Sequence, residues 1–245
     1  MRHPFRKKWG QNFLINNSII EQIINSLELK TSDNILEIGP GDGALTNKLI
    51  TKISHLYGVE IDPLLIKKLK EKKLKNATFF NADFLKWDFK HIPNKIIIVG
   101  NLPYNISSPI LFRLLNLNKW EKMGLMFQKE VAERIISKPK SKSYGRLSIM
   151  CQNYCNVNIK LQIPKNMFLP QPKVDSAFVI FKRKKNNLPN INDFSKFIQQ
   201  SFSQRRKKLK NNLNDLYSQG FLNEWAHLRP EELSPKDYIQ LFKRI

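Results

Sequence analysis

The four residues Asn101-Leu102-Pro103-Tyr104 bring two hydrogen-bond acceptors and a flat ring to one point of the chain. The Asn101 side-chain oxygen can accept one hydrogen bond from an exocyclic amine such as that of adenine. Pro103 extends the residue before it, which leaves the Leu102 carbonyl free to accept a second. Tyr104 offers a face on which a base can stack. Taken alone, the same residues read equally well as a turn leaving a strand, with proline as punctuation. Three further features sharpen the choice. Glu37-Ile38-Gly39-Pro40-Gly41-Asp42-Gly43 is a glycine-rich turn. Gly39, Gly41 and Gly43 can take positive φ there and let a ligand approach the backbone closely. It lacks the Gly-Lys-Ser/Thr of a Walker A loop, and its glycine spacing is not that of dinucleotide sites. Glu60 and Asp83 add carboxylates suited, respectively, to two ribose hydroxyls and to an adenine amino group. A single such carboxylate is ordinarily just a solvated strand-end residue; chance does not readily align several on successive strand ends.

These groups need strands to hold them in register. Asn34 to Ile38, His55 to Glu60, Ala77 to Phe80, Ile96 to Gly100 and Met123 to Phe127 read as five strands. Several are near-continuous apolar runs, the pattern of strands buried on both faces of a parallel sheet. Helices are expected between them, from about Ala44 to Ile50, from Pro63, and from Ser107 to Leu117, with an earlier helix at Ser18 to Leu27 capped by Ser18. Regular alternation predicts a mostly parallel sheet with right-handed crossovers. Asn101 and the carboxylates then share the carboxyl edge of that sheet, where open α/β folds bind ligands. Beyond Glu130 the pattern loosens. Helices are expected at Val131 to Ile136 and Arg146 to Gln152, and strands at Val157 to Ile163 and Ser176 to Lys182. Lys182 to Asn187, followed by Pro189, reads as a linker, and the rest as a small helical domain. The expected division is a catalytic domain over 1–185 and a helical domain over 186–245.

Composition limits the partners. The 42 Lys and Arg against 20 Asp and Glu give a formal charge of +22, which favours a polyanion. Between Lys182 and Lys210 stand ten basic residues and one acid, Asp193. For any single lysine a solvated surface is the simpler reading, but the cluster points to RNA backbone contact. No stretch approaches the ~20 apolar residues of a membrane helix, and the charged start lacks the apolar segment of a signal peptide. Cys151 and Cys155 have neither disulfide-framework nor zinc-site spacing, and are expected to be buried free thiols in a reducing compartment.

The glycine turn, joined to Asn-Leu-Pro-Tyr after the fourth strand, resembles the S-adenosylmethionine-dependent adenine N6-methyltransferases. Lys8-Trp9-Gly10-Gln11-Asn12-Phe13-Leu14 resembles the Gly-Gln-Asn-Phe-Leu motif of the ribosomal RNA adenine dimethyltransferases, with Trp9 where that family usually has Phe. Phe168-Leu169-Pro170-Gln171-Pro172-Lys173-Val174-Asp175-Ser176 resembles their Phe-x-Pro-x-Pro-Lys-Val-Asp-Ser motif. Phe202-Ser203-Gln204-Arg205-Arg206-Lys207-Lys208-Leu209 is similar to the C-terminal motif of the branch that modifies small-subunit RNA, the KsgA type. The motifs occur in family order over nearly the whole chain.

The resemblance implies a Rossmann-like S-adenosylmethionine-dependent core with a small helical C-terminal domain, and no metal. It makes Asn12, Leu14, Gly39, Gly41, Gly43, Glu60, Asp83 and Asn101 contacts of S-adenosylmethionine. Asn101, Leu102, Pro103 and Tyr104 then hold the target adenine, with Phe168 sandwiching it against Tyr104, and Arg205, Arg206, Lys207 and Lys208 meet RNA. The implied reaction is dimethylation of N6 on two adjacent adenosines in the 3′-terminal hairpin loop of 16S rRNA. The implied partner is the small (30S) subunit or its precursor, met by a monomer in the cytoplasm during ribosome biogenesis. Adenine N6 is a weak nucleophile, so two acceptors favouring a pyramidal nitrogen would carry the chemistry with no obligatory general base. Rival readings are a large-subunit RNA methyltransferase of the macrolide-resistance type, a DNA adenine methyltransferase, or an assembly factor acting mainly by binding.

Overall fold

The computed structural model describes residues 10–184, 188–218, 220 and 224–245. Lys8 and Trp9 of the N-terminal motif and Lys185 of the basic cluster lie outside the described residues. The chain forms two compact units, residues 1–132 with 158–182, and residues 133–157 with 183–245.

The first unit begins with β1 (Phe13–Leu14) and α1 (Asn17–Ser26), which buries Ile20, Ile23 and Ile24. Asn16 rather than Ser18 caps α1, its side chain accepting from the Ile19 amide at 3.0 Å. There follow β2 (Asn34–Ile38), α2 (Thr46–Leu49), β3 (His55–Glu60), α3 (Pro63–Glu71), β4 (Ala77–Asn81), β5 (Ile96–Asn101), α4 (Ser107–Asn116) and β6 (Trp120–Gln128). After α5 (Lys129–Ile136) and α6 (Arg146–Tyr154) come β7 (Cys155–Ile163), β8 (Phe168–Leu169) and β9 (Ser176–Arg183). Seven strands form one sheet in the order β4-β3-β2-β5-β6-β9-β7, and β1 pairs with β8 in a separate ribbon. The pairs from β4 through β6 are parallel, as the apolar runs predict, and β9 adds to β6 antiparallel. Strand order reverses between β2 and β5, so the loops leaving these two strands part and open a crevice above the sheet.

α3 begins at Pro63, as read from the sequence, and the structure adds its cap: Asp62 accepts from the Leu64 amide. The glycine turn likewise has φ of +66°, +60° and +91° at Gly39, Gly41 and Gly43, values that a side chain would strain.

The second unit contains α6, α7 (Ile191–Ser201), α8 (Leu209–Asn212), α9 (Asn214–Ser218) and α10 (Pro235–Phe242). Its membership differs from the linear 1–185/186–245 division. α6 is buried along most of its length, and Tyr154 at its end meets Phe194 of α7 edge-on, which draws residues 133–157 into this unit. Phe194 in turn meets Phe242 of α10 at 5.4 Å. Apolar faces on three helices distant in sequence thus close one core, which no linear boundary could delimit. Cys151 and Cys155 lie buried and unbridged in it.

Candidate active site

A solvent-open cleft lies over the carboxyl ends of β2, β3, β4 and β5. Asn12, Leu14, Gly39, Gly41, Glu60, Asp83, Asn101, Leu102, Pro103 and Tyr104 all line it, so residues from five segments meet where the strand-end argument put them.

The glycine turn forms its floor. A Cβ added to Gly39 would meet nothing nearer than the Asn101 carbonyl oxygen at 4.0 Å, so the space over that α-carbon is free for a ligand. At Gly41 the constraint is a neighbour: an added Cβ would lie 3.0 Å from the Phe13 ring. Gly43 is not part of the lining. A Cβ there would come within 2.7 Å of Lys72 Nζ, which donates to the Asp42 carbonyl and to Asn47 Oδ1 at 3.2 and 3.0 Å. Gly43 therefore makes room for a lysine that ties the loop down, rather than for a ligand.

Glu60 is 6% exposed and accepts from the Gly41 and Asp62 amides, each at 3.0 Å. Burial pushes its pKa up while the two amides pull it down, and each oxygen keeps a lone pair for a further donor. Asp83 accepts from the Leu85 amide at 2.9 Å, which fixes its carboxylate beside Phe84 in the cleft wall. Glu37 also lines the cleft, a residue the sequence argument passed over as part of a strand. It is 1% exposed and accepts from the Thr46 hydroxyl at 2.6 Å, and burial pushes its carboxyl up to about 7. Its signal was present in the sequence: a carboxylate inside a strand that is apolar on both faces is costly unless it has a partner or a task.

At the far end of the cleft, Asn101 Nδ2 donates to the Asn12 backbone carbonyl at 2.7 Å. That bond fixes which way the amide points and leaves Oδ1 as an acceptor. Leu102 borders the cleft with 1% of its surface exposed. Tyr104 is half-buried, and its hydroxyl lies 2.6 Å from Ser176 Oγ. Burial raises the phenol's pKa, with the Ser176 hydrogen bond acting against it.

A glycine turn open over Gly39, a buried carboxylate with spare lone pairs and an oriented amide acceptor suit a nucleoside-bearing cofactor and an amine substrate. The family model described as "Ribosomal RNA adenine dimethylase" matches residues 2–245. The chain belongs to this family. It is 43% identical over 252 residues to a ribosomal RNA small subunit methyltransferase A of Mycoplasma mobile, covering 99% of this chain and 98% of the relative. A Neisseria meningitidis protein of the same name is 38% identical, covering 98% and 95%. Among solved structures, a dimethyladenosine transferase from Plasmodium falciparum superposes with a TM-score of 0.85 at 28% identity, covering 95% of this chain and 98% of that one. The 23S rRNA methyltransferase ErmE gives 0.73 at 27%, covering 95% and 99%. The sheet and its flanking helices are thus the Rossmann-like core of a dimethylase of this family.

One residue that the family resemblance assigns to the substrate is placed otherwise. Phe168 is 2% exposed, sits in the hydrophobic core and does not line the cleft. Pairing with β1 sets it opposite Leu14, also core, and strand alternation sends the next residue, Leu169, outward at 42% exposure. In this arrangement its ring packs in the core rather than lining the cleft beside Tyr104. Arg205 is also engaged, donating to the Lys142 carbonyl at 2.8 Å and lying 3.9 Å from the Glu231 carboxylate. It braces the 141–142 loop within the second unit. It is nevertheless exposed, as are Arg206, Lys207 and Lys208 on the same turn. Among the described residues, no His, Cys, Asp and Glu cluster could hold a metal ion, and no helix is long and apolar enough to cross a membrane.

Proposed function

We propose that the chain transfers methyl groups from S-adenosylmethionine to N6 of adenosines in small-subunit ribosomal RNA. The observation that carries the reading is the Asn101 amide, turned by the Asn12 carbonyl so that Oδ1 accepts, in a cleft it shares with Glu60 and the glycine turn. When bound, S-adenosylmethionine supplies a sulfonium methyl, an electrophile already activated. Glu60 accepts from its ribose hydroxyls, and Asp83 and Phe84 form the wall for its adenine. Asn101 Oδ1 and the Leu102 carbonyl accept from the substrate amine. They hold its lone pair out of conjugation and stabilise the positive charge that grows on nitrogen. Tyr104 receives the base once it leaves its stack.

More finely, the products are two N6,N6-dimethyladenosines, adjacent in the 3′-terminal hairpin loop of 16S rRNA. The protein acts as a monomer in the cytoplasm on the 30S subunit or its precursor, its activity linked to subunit biogenesis. Buried free thiols accord with a reducing compartment. Arg206, Lys207 and Lys208 contact RNA phosphates. The small-subunit relatives at 38–43% identity favour this target over the large-subunit one of ErmE at 27%. The test is methyl transfer from labelled S-adenosylmethionine to small subunits lacking the modification and, in parallel, to large subunits, with the modified bases then mapped by primer extension. Label confined to large-subunit RNA, or a mapped site outside that hairpin loop, would overturn the assignment.

A further inference from the structure

We infer that Ser176 is a positioning residue for the reaction: it locks the plane of the Tyr104 ring on which the target base stacks. The inference rests on the role proposed for Tyr104. That residue follows Pro103 in a single 3-10 turn, Tyr104–Ile106, where a side chain has little regular structure around it. Its backbone is held by Ser107, whose hydroxyl donates to the Tyr104 carbonyl at 3.1 Å. The ring is held separately, through the 2.6 Å contact between the phenol and Ser176 Oγ.

What makes Ser176 a suitable anchor is where it stands. It opens β9, is fully buried, and pairs in register with Gln128 of β6. β6 in turn pairs with β5, Met126 lying beside Asn101. The amine acceptor and the anchor of the stacking ring therefore project from one continuous run of strands, β5-β6-β9. A hydrogen-bonded sheet holds its members far more rigidly than a loop does, so the two groups that orient the adenine keep a fixed relation. A stacked base that can rock on a free tyrosine would present its amine to the methyl group at varying angles, and misorientation is costly in a displacement whose barrier is set by alignment. Ser176 touches neither cofactor nor base in this account; it acts through Tyr104.

The test uses Ser176→Ala, Tyr104→Phe, the double variant and Tyr104→Ala, assayed on small subunits lacking the modification, with urea midpoints recorded for each. Ser176→Ala and Tyr104→Phe should each lower kcat by about tenfold, with the KM for S-adenosylmethionine unchanged. The double variant should lose no more than either single one, because both remove the same bond. Wild-type kcat in either single variant, with Tyr104→Ala inactive, would leave the ring as the platform and refute the role of Ser176. Additive losses in the double variant would refute it too. Wild-type turnover by Tyr104→Ala would instead refute the platform itself, and the inference with it. Should Ser176→Ala fail to fold, Tyr104→Phe, which removes the same hydrogen bond from the half-buried partner, decides the matter alone.

Discussion

Replacing Glu37 by glutamine should stabilise the protein at pH 8 and leave its stability at pH 5 nearly unchanged. Glu37 is buried beneath the cleft, and desolvation, aided by the nearby charges of Glu60 and Asp42, raises its pKa from the ordinary 4.5 to about 7. A carboxyl raised in this way binds protons more readily in the folded state than in the unfolded one. Its contribution to stability is therefore full below 4.5 and is lost as pH rises through 7. At ~1.4 kcal/mol per pH unit of displacement, the loss is roughly 3 kcal/mol. Glutamine has the same shape, can still accept from the Thr46 hydroxyl and carries no charge to desolvate. With a urea m-value of ~3 kcal/mol/M, the midpoint at pH 8 should rise by about 1 M. The measurement is urea unfolding by tryptophan fluorescence in a Trp225→Phe background, which leaves only the tryptophans of the first unit. A midpoint difference between the parent and its Glu37→Gln variant that is the same at pH 5 and pH 8 would refute the burial argument.

Asn101→Ala should abolish methyl transfer while S-adenosylmethionine binding, followed by calorimetry, stays near normal; wild-type turnover would remove the amide from the amine site. Glu60→Ala should weaken S-adenosylmethionine by roughly 10- to 100-fold, the worth of charge-assisted hydrogen bonds of ~1.5–3 kcal/mol, and unchanged affinity would take it out of the ribose role. Gly100→Ala puts a Cβ 2.9 Å from the Ile38 carbonyl, directly between the two strands that flank the cleft. It should cost ~1–3 kcal/mol, read as a lower urea midpoint. Arg206→Ala, Lys207→Ala and Lys208→Ala combined should weaken RNA binding and flatten its salt dependence by ~0.7–0.9 in log-log slope for each phosphate no longer neutralised. The Arg205→Ala variant should instead lower thermal stability, since its guanidinium braces the 141–142 loop.

Much of the site was legible because it depends on local pattern. Apolar runs such as Ile96 to Gly100 identify strands buried in a parallel sheet, and the residues that follow them fall at its carboxyl edge. Positive φ at Gly39, Gly41 and Gly43, and the start of α3 at Pro63, are properties of a few consecutive residues, so the sequence alone determined them. Motif order along the chain was likewise enough to place it in its family.

Tertiary structure decided the rest. The Asn101 amide takes its orientation from a carbonyl 89 residues away, and the Tyr104 ring is anchored 72 residues away, at separations that periodicity does not report. Phe168 reads as an aromatic in a motif beside the cleft, yet pairing with β1 turns it into the core. Arg205 stands in an exposed basic run yet also donates to the 141–142 loop, and 133–157 joins the second unit because α6 buries its apolar residues there. Glu37 became a group of altered protonation only when the sheet closed over it. The physical reason is common to all of these. Local sequence fixes backbone conformation and which face of an element is apolar, whereas a side chain's partner, burial and charge state depend on which distant segment the folded chain returns to its side.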